Sequence, residues 1–558
     1  MSASPWHAHY DPGVPPAIEV PPLTLPDLLS AAARGHPDAP AVLFYGRTIS
    51  YAELDRLSSR FAAALLDEGL QPGDRVVLVL PNIPQAVIGY YGALRAGAVV
   101  VLTNPIFEAG GLIRQIEDAQ ADTLLALSMF HPLIAQVRAR APVRRVIYTN
   151  LKEFLPSSQR QLFTLLRQER EGHRVPDAEA RRSLWMARML GAAQGAHSPD
   201  PPLAAPASPA ALLYTGGTTG EPKGVLHTHR SLVANALQLA AWMPDARRGA
   251  ERILCALPFS HAYGMTACMN LAAALGAAMI LLPTFETMNV LHAVRRERPT
   301  IFPGVPPMYA AINEVRDARR YGLASLRACI SGAAPLPIEV QEGFERITRA
   351  HLVEGYGLTE AGPVTHVNPL RGHHDRHGFI GLPLPSTEAK IVDLQTGADL
   401  LPGKVGELLV RGPQLMQGYW NRPAETAEVL LPGGWLRTGD VAEMDEQGFF
   451  RVIERRKEMI IAGQYNIYPR DVEEVLYEHP KVLEAAVAGV PSSGRTDLKA
   501  FVVLRRGESA TPDEILAFLR ERLSSYKVPG AVEFLDALPR SFIGKVLRRA
   551  LVEREREG

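Results

Sequence analysis

From residue 24 onward the apolar positions fall into two alternating rhythms. Leu25–Arg34 and Tyr51–Glu68 repeat apolar residues every three or four positions, which predicts amphipathic helices with one face on a core. Between them Thr48-Ile49-Ser50 reads as the end of a short strand, and Ser50 can cap the helix that follows. Arg75–Leu80 is apolar throughout, then Pro84–Ala96 is helical, then Ala98–Leu102 is apolar again. Short continuous apolar runs belong to strands covered on both faces, so this alternation predicts βαβ units and parallel sheets. The rhythm recurs over 212–330, with strands near Arg252–Ala256, Ala277–Leu282 and Arg327–Ser331. From about 385 to 450 it shortens to Ala389–Asp393, Gly406–Val410 and Gly448–Ile453 between Gly/Pro turns, which predicts a β subdomain. After Glu454-Arg455-Arg456-Lys457 the pattern is compact α+β. A helix is expected at Arg470–Glu478, strands at Val482–Val490 and Lys499–Leu504, and a helix at Asp513–Leu523. The fold class is therefore α/β. A large N-terminal domain of two α/β subdomains plus a β subdomain (1–455) is followed by a small α+β C-terminal domain (456–558).

Two stretches depart from the rhythm. Met265–Leu282 is long and apolar, but Asn270 interrupts it and it is rich in Ala and Gly. We read a buried helix (Met265–Leu275) running into a buried strand (Ala277–Leu282), not a membrane span. Gln159–Glu171 is basic and amphipathic, which suits a solvated helix on an insertion better than a membrane-surface helix. Ser198–Pro209 reads as a Pro/Ala/Ser-rich linker. Met1–Pro22 has no basic segment leading an apolar core, so it is not read as a signal peptide. At 558 residues the chain exceeds one core, in keeping with more than one domain. Lys+Arg and Asp+Glu balance at 59 each, which gives no bulk attraction for nucleic acid. Cys255, Cys268 and Cys329 form no CxxC pair and sit among apolar or small residues, so buried thiols in a reducing compartment are expected.

The chemistry concentrates first after the apolar run Leu212-Leu213. From Thr215 to Gly224 ten residues hold three threonines, four glycines and one lysine, Lys223. Glycines let a backbone turn its N–H groups onto a ligand, and the hydroxyls and ammonium add donors and charge, as a polyphosphate requires. No Gly-x4-Gly-Lys-Ser/Thr spacing fits, so this is not a Walker A loop. A second cluster, Glu354-Gly355-Tyr356-Gly357-Leu358-Thr359-Glu360, offers a ring, a hydroxyl and a hard oxygen ligand suited to Mg²⁺. A third, Trp435 to Asp440, places a carboxylate after a glycine turn, as suits a ribose diol. Arg455-Arg456-Lys457-Glu458 stands at the domain boundary, and Leu538 to Lys545 sets a lysine just after a glycine near the C-terminus.

In this order and spacing the five clusters resemble the adenylate-forming superfamily of acyl-CoA synthetases, luciferase-like enzymes and adenylation domains. Bacterial long-chain fatty-acid–CoA ligases are the nearest match, from about Leu25 to Leu551. Gly381 to Glu388 and Gln417-Gly418-Tyr419-Trp420-Asn421 are also similar, and Gly216 stands where many relatives have Ser. The resemblance implies an adenylation domain binding ATP and the acyl group, and a mobile C-terminal domain. It implies activation of a medium- to long-chain fatty acid to acyl-AMP with release of pyrophosphate, then transfer to CoA. By that resemblance Lys545 stabilises charge between carboxylate and α-phosphate. Thr215, Gly216, Gly217, Thr218, Thr219, Gly220 and Lys223 hold the β,γ-phosphates, and Thr359 contacts the α-phosphate. Glu360 takes Mg²⁺, Tyr356 stacks on adenine with Glu354 and Gly355 beside it, and Asp440 and Arg455 bind ribose. Gly332, Ala333 and Ala334 line the acyl and adenine pocket, His261 lies beside the acyl carboxylate, and Lys457 is the hinge. Gly463 and Gln464 lie on the CoA path.

Gln464 departs from a glycine common in relatives; its side chain can hydrogen-bond pantetheine or obstruct it. An acyl-AMP ligase with a weak CoA step therefore stays open, as does an aryl or 4-coumarate-type acid. His373-His374-Asp375-Arg376-His377 lacks metal-ligand spacing and reads as a surface loop. The expected partners are a fatty acid, ATP and CoA, with no nucleic acid. A cytoplasmic location is expected, with peripheral membrane contact and a homodimer both open.

Overall fold

The computed structural model describes residues 4–103, 108–193, 204–215, 222–372, 376–456, 458–462, 465–492, 495–540 and 546–557. Two mostly parallel sheets form the larger part. The first has nine strands, in spatial order Leu382–Pro383, Val364–Val367, His351–Gly357, Ala328–Ser331, Ile301–Gly304, Arg252–Cys255, Ala278–Leu281, Pro40–Phe44 and Arg47–Ser50. It is parallel from His351–Gly357 to Pro40–Phe44 and closes with antiparallel strands at each end. The second has eight, Gly418–Tyr419, Lys223–Thr228, Pro209–Thr215, Val99–Leu102, Arg75–Val79, Thr123–Leu127, Arg145–Thr149 and Leu184–Trp185. The apolar runs that predicted strands are these central strands, buried at nearly every position.

Helices fill the space against the sheets. Pro84–Arg95 is buried on almost every side. Its Gly89 faces Leu78 and Leu125 of the second sheet, and its Tyr91 hydroxyl reaches the Met269 carbonyl at 3.4 Å. An extra methyl at Gly89 would stand 2.5 Å from Leu125 Cδ2, so glycine is what allows this close packing. Ser50 caps Tyr51–Asp67 as expected, accepting the Glu53 N–H at 3.2 Å.

A third, antiparallel sheet holds Glu388–Val392, Val405–Arg411, Trp435–Met444, Leu430–Leu431 and Phe450–Arg455. Beyond it the chain forms a hairpin of Ile460–Ala462 and Tyr465–Ile467, and a sheet of Val482–Ser492, Arg495–Leu504 and Ala531–Phe534. The helices Pro469–Tyr477 and Pro512–Arg520 bury Val472, Leu476, Ile515 and Leu519 with Val487 and Ala500 of this sheet, a core of its own.

Three local expectations differ from the structure. Met265–Leu275 is not one regular helix: Met265–Asn270 is π-helical and only Leu271–Leu275 is α. The wide turn coincides with Thr266, whose hydroxyl donates to the Gly362 carbonyl at 2.6 Å. The helix expected over Gln159–Glu171 is Ser157–Leu166. It is wound off when Gln168 N–H bonds back to Phe163 O at 2.8 Å, and the chain turns at Gly172 with φ +71°. Asp440 follows no turn; Gly439, at φ +72°, lies inside the strand Trp435–Met444. The three cysteines are buried and free. Among the described residues no helix is long and apolar enough to cross a membrane.

Candidate active site

The Gly/Thr segment is framed by two strands of one hairpin. Pro209–Thr215 and Lys223–Thr228 pair antiparallel up to the partners Thr215 and Lys223, so the ends of the loop are registered opposite each other. Residues 216–221 between them lie outside the described residues. On the outer edge of Lys223–Thr228 sits Gly418–Tyr419, with Tyr419 opposite Val225. Trp420 N–H closes this edge on the Gly224 carbonyl at 2.7 Å, and Gln417 N–H bonds Leu226 O at 2.8 Å.

This edge gathers the charged groups. The Lys223 ammonium lies 5.1 Å from the Tyr419 ring centroid, a cation–π distance. The Tyr419 hydroxyl donates to Glu360 Oε1 at 2.8 Å. Glu360 stands on the short 3-10 turn Thr359–Ala361 that follows the strand His351–Gly357. Two further bonds fix that turn. Met416 N–H donates to the Glu360 carbonyl at 2.8 Å, and His227 Nε2 lies 2.7 Å from the Thr359 carbonyl. A carbonyl can only accept, so His227 carries its hydrogen on Nε2. Burial pulls it down to about 4, keeping it neutral. Among the described residues no three His, Cys, Asp or Glu side chains gather to hold a metal.

The second charged group centres on Asp440, which is buried. Its Oδ1 accepts Arg455 Nε at 2.7 Å, and its Oδ2 accepts the Tyr356 hydroxyl. The pairing is built by strand register, because Asp440 is opposite Arg455 across Trp435–Met444 and Phe450–Arg455. The Asp440 charge holds Arg455 protonated well above its ordinary range. Burial and the same carboxylate push the Tyr356 phenol far up. Glu360 and Tyr356 also act on Arg455, and Arg455 acts on Tyr419. Lys223, Tyr419, Glu360, Arg455, Asp440 and Tyr356 thus form one electrostatically connected cluster.

The apolar side of the site follows the carboxyl ends of the first sheet's parallel strands, where α/β sheets place ligands. His261 follows Arg252–Cys255, Val305 follows Ile301–Gly304, and Gly332-Ala333-Ala334 follows Ala328–Ser331. His261 Nδ1 accepts the Tyr263 N–H at 3.2 Å, so its hydrogen is on Nε2, and burial lowers it to about 4. The preceding loop is pinned by Asn82, which donates to Cys255 O and Leu257 O and accepts the Phe259 N–H at 2.9 Å. A methyl on Gly332 would meet the Tyr263 ring at 3.0 Å, and Ala333 adopts φ +68°. Gly355 is equally tight, with a methyl 2.9 Å from Ile330 Cγ2. Glu354 points away from Asp440: its carboxylate accepts the Leu336 N–H at 3.3 Å and braces the 332–335 loop. Burial pushes it up to about 7.

Of the residues singled out from sequence, Thr215, Lys223, His261, Gly332, Ala333, Ala334, Glu354, Gly355, Tyr356, Thr359, Glu360, Asp440 and Arg455 are described. Gly216, Gly217, Thr218, Thr219, Gly220, Lys457, Gly463, Gln464 and Lys545 lie outside the described residues, as do His373, His374 and Asp375. Sequence reasoning missed His227 and Asn82, neither of which belongs to a motif. It quoted Tyr419 only as part of a motif, without its role beside Lys223 and Glu360.

The chain matches the model of the AMP-binding enzyme family over residues 29–420, and that of the AMP-binding enzyme C-terminal domain over 471–545. A long-chain-fatty-acid–CoA ligase of Bacillus subtilis is 44% identical over 558 residues, covering 100% of this chain and 99% of that one. ATP-bound MatB from Rhodopseudomonas palustris superposes with a TM-score of 0.82 at 28% identity, covering 96% of this chain and 99% of MatB. Apo MatB, at the same identity and coverage, gives 0.71.

Proposed function

The chain belongs to the AMP-binding enzyme family and is a fatty-acid–CoA ligase within it, and from that premise we propose how its residues divide the reaction. ATP, a fatty acid and CoA are the substrates. In the first half-reaction a carboxylate oxygen attacks the α-phosphorus and the bond to pyrophosphate breaks. Such chemistry is chiefly positioning and charge neutralisation. Lys223 and the threonines Thr215, Thr218 and Thr219 neutralise the β,γ-phosphates, and Lys545 neutralises charge between carboxylate and α-phosphate. Asp440 and Arg455 hold the ribose, Tyr356 the adenine, and Thr359 the α-phosphate. Glu360 would hold Mg²⁺, which would supply neutralisation of phosphate charge. The observation carrying this reading is the connected cluster from Lys223 through Glu360 to Asp440, beside a hairpin whose loop suits phosphates.

In the second half-reaction the CoA thiol attacks the acyl carbon and AMP leaves. His261, neutral with its hydrogen on Nε2, serves the acyl oxygen as a donor and not as a base. Gly463 and Gln464 border the CoA path, and Lys457 is the pivot between the half-reactions.

The test is a panel of short-, medium- and long-chain fatty acids and aromatic acids, read by pyrophosphate release and by acyl-CoA formation. Medium- to long-chain acids should give the highest kcat/KM in both assays. Preference for an aromatic acid, or pyrophosphate release without acyl-CoA, would overturn it. A peripheral membrane contact belongs to the same proposal, supported by the helix Ser157–Leu166. There Leu162, Leu165 and Leu166 are 56%, 81% and 62% exposed beside Arg167 and Arg170. Unaltered sedimentation with anionic vesicles after L165D would refute that contact.

A further inference from the structure

The joint between the third sheet and the C-terminal part carries a charge cluster that the reaction above does not use. Glu454 is registered opposite Val441 in the third sheet, so it is fixed to the large body. It is buried. Two arginines reach it from beyond residue 457. The Arg470 backbone N–H donates to Glu454 Oε2 at 3.1 Å, and its guanidinium donates to the Val452 carbonyl at 2.6 Å. Arg548 Nη1 lies 3.5 Å from Glu454 Oε1 and pairs with the Glu458 carboxylate, while Nη2 is 2.8 Å from Glu473 Oε2.

These contacts sort into two classes about a pivot at 457. Arg548 to Glu473 and Glu458, and Arg470 to Glu474 at 3.0 Å, lie wholly on the C-terminal side. They survive a rigid rotation. Arg548 to Glu454, Arg470 to Glu454 and Arg470 to Val452 cross the pivot and must break. Arg548 is also tied to the segment of Lys545. An antiparallel bridge joins Arg540 to Val546, Leu547 N–H donates to Pro539 O at 2.8 Å, and Arg548 begins the helix Arg548–Glu557. Lys545 therefore precedes by three positions a side chain anchored to the joint. The present arrangement superposes better on ATP-bound MatB, at 0.82, than on apo MatB, at 0.71.

We propose that Arg548 and Arg470 are positioning residues that latch Glu454 in the arrangement used for acyl-AMP formation and release it in the arrangement used for transfer to CoA. This rests on the reading above that Lys545 serves the first half-reaction. A latch made of buried charges is specific to one geometry, because a buried carboxylate stripped of its partners is costly unless rotation returns it to water. Burial already pushes Glu454 up while Arg548 pulls it down.

The test uses the full-length enzyme with Glu454→Gln, which removes the charge on the large body and leaves the C-terminal core untouched. Carboxylate-dependent pyrophosphate release should fall about tenfold. Acyl-CoA formation from supplied acyl-AMP should be unchanged or a few-fold faster. Equal loss in both half-reactions, or no loss in the first, would overturn the latch. If Glu454→Gln does not fold, Glu454→Asp is read by the same two assays. Lys545→Ala separates the two readings: if it depresses both half-reactions alike, the assignment of Lys545 fails, whatever Glu454→Gln does.

Discussion

Asp440→Asn probes the nucleotide side of the site with the least disturbance of shape. Asp440 is 2% exposed, with one oxygen on Arg455 and the other on the Tyr356 hydroxyl. A carboxylate has about four acceptor sites, and on the proposed role the two hydroxyls of the ribose diol are among its donors. Asparagine keeps the volume but loses the charge, and one of its atoms becomes a donor. A hydrogen bond to a charged acceptor contributes about 1.5–3 kcal/mol and a neutral one about 0.5–1.5. Exchanging two such bonds costs about 2–3 kcal/mol, which is about 30- to 150-fold in affinity. The Arg455 side chain is 39% exposed, so solvent screens the broken ion pair and its own stability cost stays near about 1 kcal/mol. The assay is pyrophosphate release at saturating fatty acid across ATP concentration. KM for ATP should rise by the factor above, with kcat within about threefold and KM for the fatty acid unchanged. Tyr356→Phe is the internal control: it keeps the ring and removes one donor to Asp440, so KM for ATP should change by less than about fivefold. A KM for ATP in Asp440→Asn that moves less than the Tyr356→Phe value would refute the ribose assignment.

Three further outcomes are expected. Lys545→Ala should abolish carboxylate-dependent pyrophosphate release and leave acyl-CoA formation from supplied acyl-AMP largely intact; equal loss of both would contradict its role. Gln464→Gly should speed acyl-CoA formation relative to pyrophosphate release if the side chain obstructs the CoA path; a fast thioester step unchanged by the substitution would show that it does not. Glu354 ionises near 7 in the fold against 4.5 in the unfolded chain. The folded chain thus keeps the proton longer, and the group costs nothing below about pH 4.5. Its cost then grows as pH rises, levelling off above about pH 7 at about 3 kcal/mol. Glu354→Gln removes this cost, so its advantage in urea midpoint over the parent should widen from pH 5 to pH 8. A pH-independent difference would argue against a buried, unpaired carboxyl.

The fold was legible in local periodicity, and the candidate site residues were read from local clusters. The hairpin position of Thr215 and Lys223, the strand-to-turn setting of Glu360 and the strands of the parallel sheets all follow from short-range spacing and periodicity. What escaped is long-range. His227 is 132 residues from the Thr359 carbonyl it holds, and Asn82 is 173 from the Cys255 carbonyl. Asn82 is a single polar residue in an apolar segment and His227 one of several polar residues at the end of its strand, and neither spacing points to so distant a partner. Gly439 misled for a different reason. Its left-handed φ reads as a turn, yet a register shift in the neighbouring strand pair lets the strand run on to Met444. Glu354 was grouped with Tyr356 by proximity in sequence, which does not tell what each side chain meets. The two side chains take different partners, the Glu354 carboxylate the Leu336 N–H at 3.3 Å and the Tyr356 hydroxyl the Asp440 carboxylate.

The ties on either side of the proposed pivot at Lys457 bear on how two half-reactions would share one cluster. Up to Arg456 the chain is tied to the large body. Arg455 is on Asp440, Arg456 N–H bonds the Gly439 carbonyl at 2.9 Å, and the Arg456 guanidinium holds Glu407 at 2.9 Å and Leu394 O at 3.0 Å. From Glu458 the side-chain tie passes to Arg548 and the C-terminal part. Two backbone bonds still span position 457, from the Glu458 and Met459 N–H groups to the Arg455 carbonyl at 2.9 and 3.0 Å, and a rotation that breaks these leaves the side-chain pair of Asp440 and Arg455 in place. On the roles proposed above, the nucleotide would keep its ribose contacts while the C-terminal part exchanges Lys545 for the CoA path. A pivot placed two residues earlier would pull Arg455 off Asp440 at each turnover and release the adenylate. The proposed pivot agrees with the ties of the basic run: Arg455 and Arg456 are both held by the large body, through Asp440 and through Glu407.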